Sequence, residues 1–157
     1  MTMVKEFENL REDEVEVLLT APVYVAILIA GADGDIDKSE RKEAIEVAHS
    51  KQGRAREQLV EYYKAVGASF ESKFNTLISE LPEDAEERSK AITTELRKLN
   101  FILPKIDKNF SVKLYASLKD LAKKIAEASG GILGYLSVSY EESKLIELRM
   151  INDPEKK

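Results

Sequence analysis

Four acidic residues with regular spacing stand out in the segment GADGDIDKSERKEAI, residues 31–45. Asp33, Asp35 and Asp37 occupy alternate positions, and Glu40 follows three residues after the last of them. Carboxylate oxygens are the ligands that hard divalent cations such as Ca²⁺ and Mg²⁺ prefer in proteins. These four residues are therefore the candidate metal ligands of the chain.

The segment departs from the pattern of an EF-hand calcium loop. Such a loop needs glycine at its sixth position for a sharp turn and a bidentate glutamate at its twelfth position. Counted from Asp33, these positions hold Lys38 and Ala44. The sequence therefore disfavours an EF-hand, and a cation site here requires a different geometry.

Part of the segment has a purely structural explanation. Asp37 and Glu40 have the spacing of a capping box, in which an aspartate accepts from a backbone N–H inside the new helix and the glutamate reaches back. Gly34 suits the left-handed position that ends a preceding helix, and Ile36 is predicted to pack against the core. These four residues can be explained without an ion.

Asp33 and Asp35 have no such simple explanation. A carboxylate near the carboxyl end of a helix faces the negative end of the helix dipole, and a second carboxylate two residues away adds repulsion. A cation bound by Asp33, Asp35 and nearby carbonyl oxygens would reverse this unfavourable electrostatic energy. The alternative is a solvated acidic turn, in which aspartate makes local hydrogen bonds. The residues alone leave both interpretations open.

The acidic segment follows the most apolar stretch of the chain, which runs over residues 17–32 without a charge. This stretch is shorter than the roughly 20 apolar residues that a membrane span needs, and it lacks flanking positive charges. Pro22 suits the first turn of a helix. The pattern predicts a buried core helix that begins near Pro22, and no membrane span.

Apolar residues recur with helical spacing along the rest of the chain, and no segment alternates with the period of a strand. The predicted further helices cover about residues 38–50, 54–66, 70–81, 82–103, 111–128 and 140–151. We therefore predict an all-α, single-domain bundle of about seven helices over residues 1–157, with a core from about 15 to 150.

Composition narrows the classes of function. A net charge of −5 argues against general binding to nucleic acid, which requires clustered Lys and Arg. With no Cys and a single His, the chain has no thiolate site and no multi-histidine site, and its composition fits a reducing cytosol. His49 has no catalytic motif around it, so we predict a protein that is not an enzyme.

The acidic segment has a counterpart near the end of the chain. Residues 30–45 align with residues 126–146, where each copy shows a helix, a glycine turn and a second helix opened by a small polar residue. In the later copy Ser139 opens the helix, and either Glu141 or Glu142 matches Glu40. The bundle is thus predicted to contain two related helical hairpins.

An apolar helix ending in ADGDIDKSE, with a related glycine turn and glutamate near the other end, resembles the tellurite-resistance TerB-like family. The resemblance covers about residues 15–150 and implies an all-helical, cytoplasmic, stress-response protein whose clustered acids bind a metal ion. By motif it carries over Asp33, Gly34, Ile36 and Glu40. Ser129 stands where an acid would mirror Asp33, so a symmetric pair of sites is not implied.

Two hypotheses follow for the function of the chain. The first is a non-enzymatic TerB-like domain that binds a divalent or stress-related metal ion, Ca²⁺ or Mg²⁺ fitting best, at the acidic hairpin. The second is a protein–protein interaction module that is expected to self-associate and whose hairpins are purely structural. In the second case the apolar turn ILGYL, residues 132–136, or an acidic helix face would contact the partner.

Overall fold

The computed structural model describes residues 7–30, 59–129 and 148–154, together with Lys42 and Glu46. All regular secondary structure in these residues is helical, which agrees with the predicted all-α class. The elements are α1 (Glu12–Ala30), α2 (Val60–Glu80), α3 (Ala85–Arg97), the short α4 (Leu99–Ile102), a 3₁₀ turn (Leu103–Lys105) and α5 (Lys108–Ser129).

Much of the predicted pair of hairpins lies outside this part of the chain. Residues 130–147, which contain most of the second hairpin, are not among the described residues. Within the first hairpin region, Lys42 and Glu46 are helical and exposed, in agreement with a helix over 38–50. The prediction of about seven helices therefore stays a prediction.

Helix α1 lies at the centre of the described bundle and contacts α2, α3, α4 and α5. Most of its apolar residues are almost completely buried, and those at most 2% exposed are Leu18, Ala21, Val23, Val25, Ala26, Ile27, Leu28 and Ile29. The prediction that this stretch forms a core helix is confirmed. Among the described helices, none is long and apolar enough to cross a membrane.

The predicted start of this helix near Pro22 is wrong, because α1 already begins at Glu12. Its first turn carries three acidic residues, which interact favourably with the positive end of the helix dipole. The carboxylate of Glu14 also accepts a hydrogen bond from the Arg11 backbone N–H at 3.0 Å. This contact is one half of a capping box. It stabilises the start of α1 at Glu12, ten residues before Pro22.

Pro22 lies inside α1, where its missing N–H leaves the Leu18 carbonyl without its usual helical donor. The hydroxyl of Tyr62, on α2, donates a hydrogen bond to this carbonyl at 2.6 Å. Leu18 and Tyr62 are both completely buried, so no solvent could satisfy the carbonyl instead. A side chain from another helix thus allows α1 to continue through its proline.

Helix α2 is continuous, whereas two helices over 54–66 and 70–81 had been expected from the pattern. Gly67 lowers the local helix propensity without ending the helix. Apolar side chains on both sides of this point share one face of α2, so packing against the core outweighs local propensity. The buried residues on this face are Tyr62, Tyr63, Val66, Phe70 and Phe74.

The segment predicted as one helix over 82–103 is divided in the structure. Helix α3 begins after Asp84, whose carboxylate accepts from the Glu87 N–H at 3.0 Å. Helix α4 and the 3₁₀ turn follow, and Pro104 cannot donate the N–H that a longer helix would require. Helix α5 confirms the helix predicted over residues 111–128, and it begins three residues earlier, at Lys108. The carboxylate of Asp107, just before this helix, accepts a hydrogen bond from the Phe110 N–H at 2.9 Å.

Four buried aromatic rings join the N-terminal segment to α2 and α5. Phe7 contacts Phe110 and Tyr62 edge to face, with ring centroids 5.5 and 6.1 Å apart. Tyr62 also contacts Tyr63, whose hydroxyl shares a hydrogen bond with the Ser117 hydroxyl on α5. Burial raises the pKa of Tyr63 far above its ordinary value, so its hydroxyl stays neutral at physiological pH.

The last helix, predicted over 140–151, does not extend to its predicted end. Residues 148–151 form a turn rather than a helix, and Leu148 has a φ of 48°. That left-handed value is unfavourable for a side chain branched like leucine's and is incompatible with a continuing helix. Residues 148–154 therefore form an irregular segment, named here the C-terminal segment.

Candidate functional site

The predicted metal ligands Asp33, Asp35, Asp37 and Glu40 lie outside the described residues, as does His49. The structure describes the apolar helix that precedes them as far as Ala30. In the described ranges, no group of three or more His, Cys, Asp or Glu side chains is arranged to hold a metal ion. The metal site at residues 33–40 thus stays a prediction.

Two recesses in the described part of the chain offer binding surfaces. The first, named the three-helix groove, has a volume of about 540 Å³ and lies between α1, α2 and the end of α3. Its charged and polar lining comprises Asp13, Glu16, Thr20 and Tyr24 from α1, Ser72, Lys73 and Thr76 from α2, and Glu95 and Lys98 beside α3.

The charges in the three-helix groove are largely paired with one another. Lys73 contacts Glu16 at 3.2 Å, and Lys98 contacts Glu95 at 2.5 Å. The hydroxyl of Thr20 joins the first pair, donating to Glu16 at 3.2 Å and accepting from Lys73 at 3.5 Å. A charged ligand would have to break one of these pairs, so the groove is poorly suited to recognising a small ion.

Tyr24 contributes the phenol group of the groove. Its burial raises the pKa of this phenol, and the nearby carboxylates of Glu95, Glu16 and Glu80 raise it further. The hydroxyl is consequently protonated at neutral pH and can donate a hydrogen bond. The phenol therefore contributes a hydrogen-bond donor to the groove at neutral pH.

The second recess, named the C-terminal cleft, has a volume of about 350 Å³. It lies between the C-terminal segment and the region from α4 to the start of α5. The bundle lines it with Asn100, Leu103, Pro104, Ile106, Lys108 and Ser111, and the C-terminal segment lines it with Asn152, Asp153 and Pro154. Mainly apolar lining with a few polar groups is typical of binding clefts.

The side chain of Asn100 holds the C-terminal segment beside this cleft. Its amide nitrogen donates to the Met150 carbonyl at 2.9 Å, and its amide oxygen accepts from the Asn152 N–H at 2.6 Å. Both groups belong to the backbone, so Asn100 recognises a chain conformation and not particular side chains. Nearby, the Ser111 hydroxyl donates to the Leu103 carbonyl at 3.0 Å and is used within the bundle.

Sequence reasoning did not identify Asn100 or Tyr24 as functional candidates. The signal in the sequence is that Asn100 is a polar residue in the otherwise apolar segment LNFIL. A polar side chain that is buried in such a segment usually has a hydrogen-bond partner. The partner is 50 residues away along the chain, and no local pattern points to it.

Comparison of the chain with family models found no match, and searches of curated proteins and of solved structures found none either. The resemblance to TerB-like proteins therefore rests on the residues quoted for it.

Proposed function

We propose that the chain is a non-enzymatic, TerB-like helical domain that binds a divalent cation at Asp33, Asp35, Asp37 and Glu40. One observation supports this most directly. The central helix α1 carries no basic residue in its last described turn, and three aspartates follow it within seven residues. The negative end of its dipole and these carboxylates together favour a cation.

The buried position of α1 strengthens this proposal. Because α1 contacts all the other described helices, the residues that follow it start from a rigid point of the bundle. A preorganised starting point lowers the entropy cost of bringing several ligands to one ion. Carboxylate and carbonyl oxygens favour Ca²⁺ or Mg²⁺ over softer metals, which prefer the thiolate and imidazole groups this chain almost lacks.

Thermal unfolding tests the cation proposal. Ca²⁺, Mg²⁺, Mn²⁺ and Zn²⁺ are titrated separately into the full chain and into the Asp33→Asn, Asp35→Asn double variant. At a hundredfold excess over Kd, a bound ion stabilises by about 2.7 kcal/mol, which for a domain of this size raises Tm by about 5–10 °C. We expect such a rise for at least one ion in the native chain and its loss in the variant.

A matched control separates a specific site from general charge screening. Glu83 and Glu86 are exposed acids at the start of α3, and their replacement by glutamine removes the same two charges. This control variant should keep the full ion-dependent shift. An equal shift in the Asp33, Asp35 variant, or no shift with any of the four ions, would contradict the cation proposal.

The resemblance also suggests where such a protein would act. We propose a cytoplasmic role in the response to tellurite or related stress, in which the domain binds its ion without chemical turnover.

A second proposed function is a protein–protein interaction module. The C-terminal cleft favours it, because the cleft presents an apolar floor beside a side chain that recognises peptide backbone. Light scattering over a range of protein concentrations tests it through self-association. A chain that stays monomeric at every concentration and retains no partner at the cleft would contradict it.

A further inference from the structure

The C-terminal segment is bound to the bundle much as a separate peptide would be. Asn100 pairs with a carbonyl and an N–H two residues apart, at Met150 and Asn152. This arrangement satisfies both kinds of backbone group with one amide side chain. It therefore holds a short peptide in place without a strand or a helix.

Two apolar side chains secure the same segment in the core. Leu148 is completely buried and Ile151 is 2% exposed, three residues further along. Around them residues 148–154 form no helix, and the Ile151 N–H donates a backbone hydrogen bond to the Leu148 carbonyl at 3.0 Å. Its position in the described structure thus depends on contacts with the bundle.

The segment begins at a strained residue and leaves part of its cleft open. Leu148 has a left-handed backbone, which is costly for any residue with a side chain. The C-terminal cleft, with a volume of about 350 Å³, is lined on one side by Asn152, Asp153 and Pro154, which follow Ile151. The 3₁₀ turn contributes to the lining on the other side. Undocking the segment would release the backbone strain and expose the cleft.

We propose that the C-terminal cleft is a docking surface that accepts the C-terminal segment of a second copy of this chain in place of its own. The proposal rests on the second proposed function, the interaction module, and is independent of the cation site. The occupant is argued from the structure, since the segment seated there is this chain's own and a second copy carries the same residues. Exchange of identical elements forms dimers without requiring a new set of contacts.

Competition from the tethered segment sets the expected affinities. A segment attached to its own bundle acts at a high effective concentration, so a free peptide of the same sequence should bind the native chain weakly. Weakening the attached segment should then strengthen binding of the peptide. If the cleft cannot accept the segment from another molecule, weakening the attached segment will leave peptide binding unchanged.

The experiment uses a fluorescent peptide of residues 146–157, IELRMINDPEKK, and measures its anisotropy with the full chain. Two variants weaken the attached segment: Asn152→Pro removes the N–H that reaches Asn100, and Ile151→Ala removes a buried side chain. Each variant should bind the peptide about tenfold more tightly than the native chain, a change that corresponds to the loss of one good contact. Circular dichroism verifies that each variant is folded, and either variant alone suffices.

Two matched changes test whether the peptide occupies the same cleft. A peptide that carries the Ile151→Ala change lacks a side chain that is buried in the chain's own segment, and it should bind the Asn152→Pro variant about tenfold more weakly. A peptide that carries the Asn152→Pro change should likewise bind about tenfold more weakly. Peptide binding that is equal in native and weakened chains, or insensitive to both changes in the peptide, would overturn the proposal.

Light scattering distinguishes this inference from the interaction module on which it rests. If the peptide does not bind but the chain self-associates, the segment-exchange proposal fails and the module stands. If neither is observed, both proposals fail. If the peptide binds as expected, the full chain should form a concentration-dependent dimer, and a large excess of the peptide should reduce the fraction of that dimer.

Discussion

Replacement of Tyr62 by phenylalanine should destabilise the protein by about 1–3 kcal/mol, the usual cost of leaving a buried polar group without its partner. The group left unpaired is the Leu18 carbonyl, which Pro22 deprives of its helical donor. Because Leu18 is completely buried, water cannot replace the lost hydroxyl. Urea unfolding followed by circular dichroism gives the change in the free energy of unfolding.

A second variant, at Pro22, tests whether the Tyr62 hydroxyl replaces the helical donor that the proline lacks. A Pro22→Ala variant regains an N–H that can reach the Leu18 carbonyl, so Tyr62→Phe should cost less in that background. We expect a coupling energy of about 1–2 kcal/mol between the two positions, within the range found for residues of one hydrogen-bond network. An equal cost of Tyr62→Phe with and without the proline would show that the hydroxyl does not compensate for it.

Tyr63 provides the matched control for this cycle. It neighbours Tyr62, is also buried, and directs its hydroxyl to Ser117 on α5 instead of to α1. Tyr63→Phe should therefore destabilise the native chain and the Pro22→Ala variant by the same amount. Coupling between Tyr63 and Pro22 would indicate a general rearrangement of α1 and α2.

Replacement of Glu14 by glutamine should lower the free energy of unfolding at neutral pH. It should also make this free energy change less as the pH falls. The Lys105 ammonium donates a hydrogen bond to this carboxylate at 2.5 Å, and together with the Arg11 N–H it lowers the pKa of Glu14 below the ordinary value of 4.5. A lowered pKa means that the folded state favours the ionised carboxylate more than the unfolded state does. Its stabilising contribution is thus present above pH 4.5 and is lost as the pH falls through the lowered pKa.

Unfolding free energies measured from pH 7 down to pH 3 test this prediction. The native chain should lose more stability over that range than Glu14→Gln, and Lys105→Met should reproduce the flatter profile. Lys105 is half exposed, so salt should weaken the effect. Glu86→Gln, which breaks an exposed pair with Lys90, is the control and should change stability little. Parallel pH profiles for native chain and Glu14→Gln would contradict the assigned role.

The strongest periodic patterns predicted the helices well. The apolar run was correctly expected in the core over its described residues, 17–30, and α5 was predicted to within three residues at its start. Both predictions succeeded because burial of an apolar face dominates the formation of long helices. The same effect explains why α2 continues past Gly67, where the apolar spacing was interpreted as two helices.

The errors arose where distant contacts override local preferences. The start of α1 was misplaced because proline normally marks a first turn, and the compensating Tyr62 lies 44 residues after Leu18. The last helix was extended too far because its apolar spacing continues through Ile151, while Asn100 holds this segment in another conformation. The candidate metal ligands lie outside the described residues, and the structure describes only the apolar helix that precedes Asp33.

The central position of α1 also determines how the molecule opens. Because α1 contacts α2, α3, α4 and α5, its amide groups are covered from several sides at once. Detachment of any one of these helices leaves the others in place around it. Its amide hydrogens should therefore exchange with solvent only when the whole described bundle unfolds, whereas exposed helix ends exchange through local fraying.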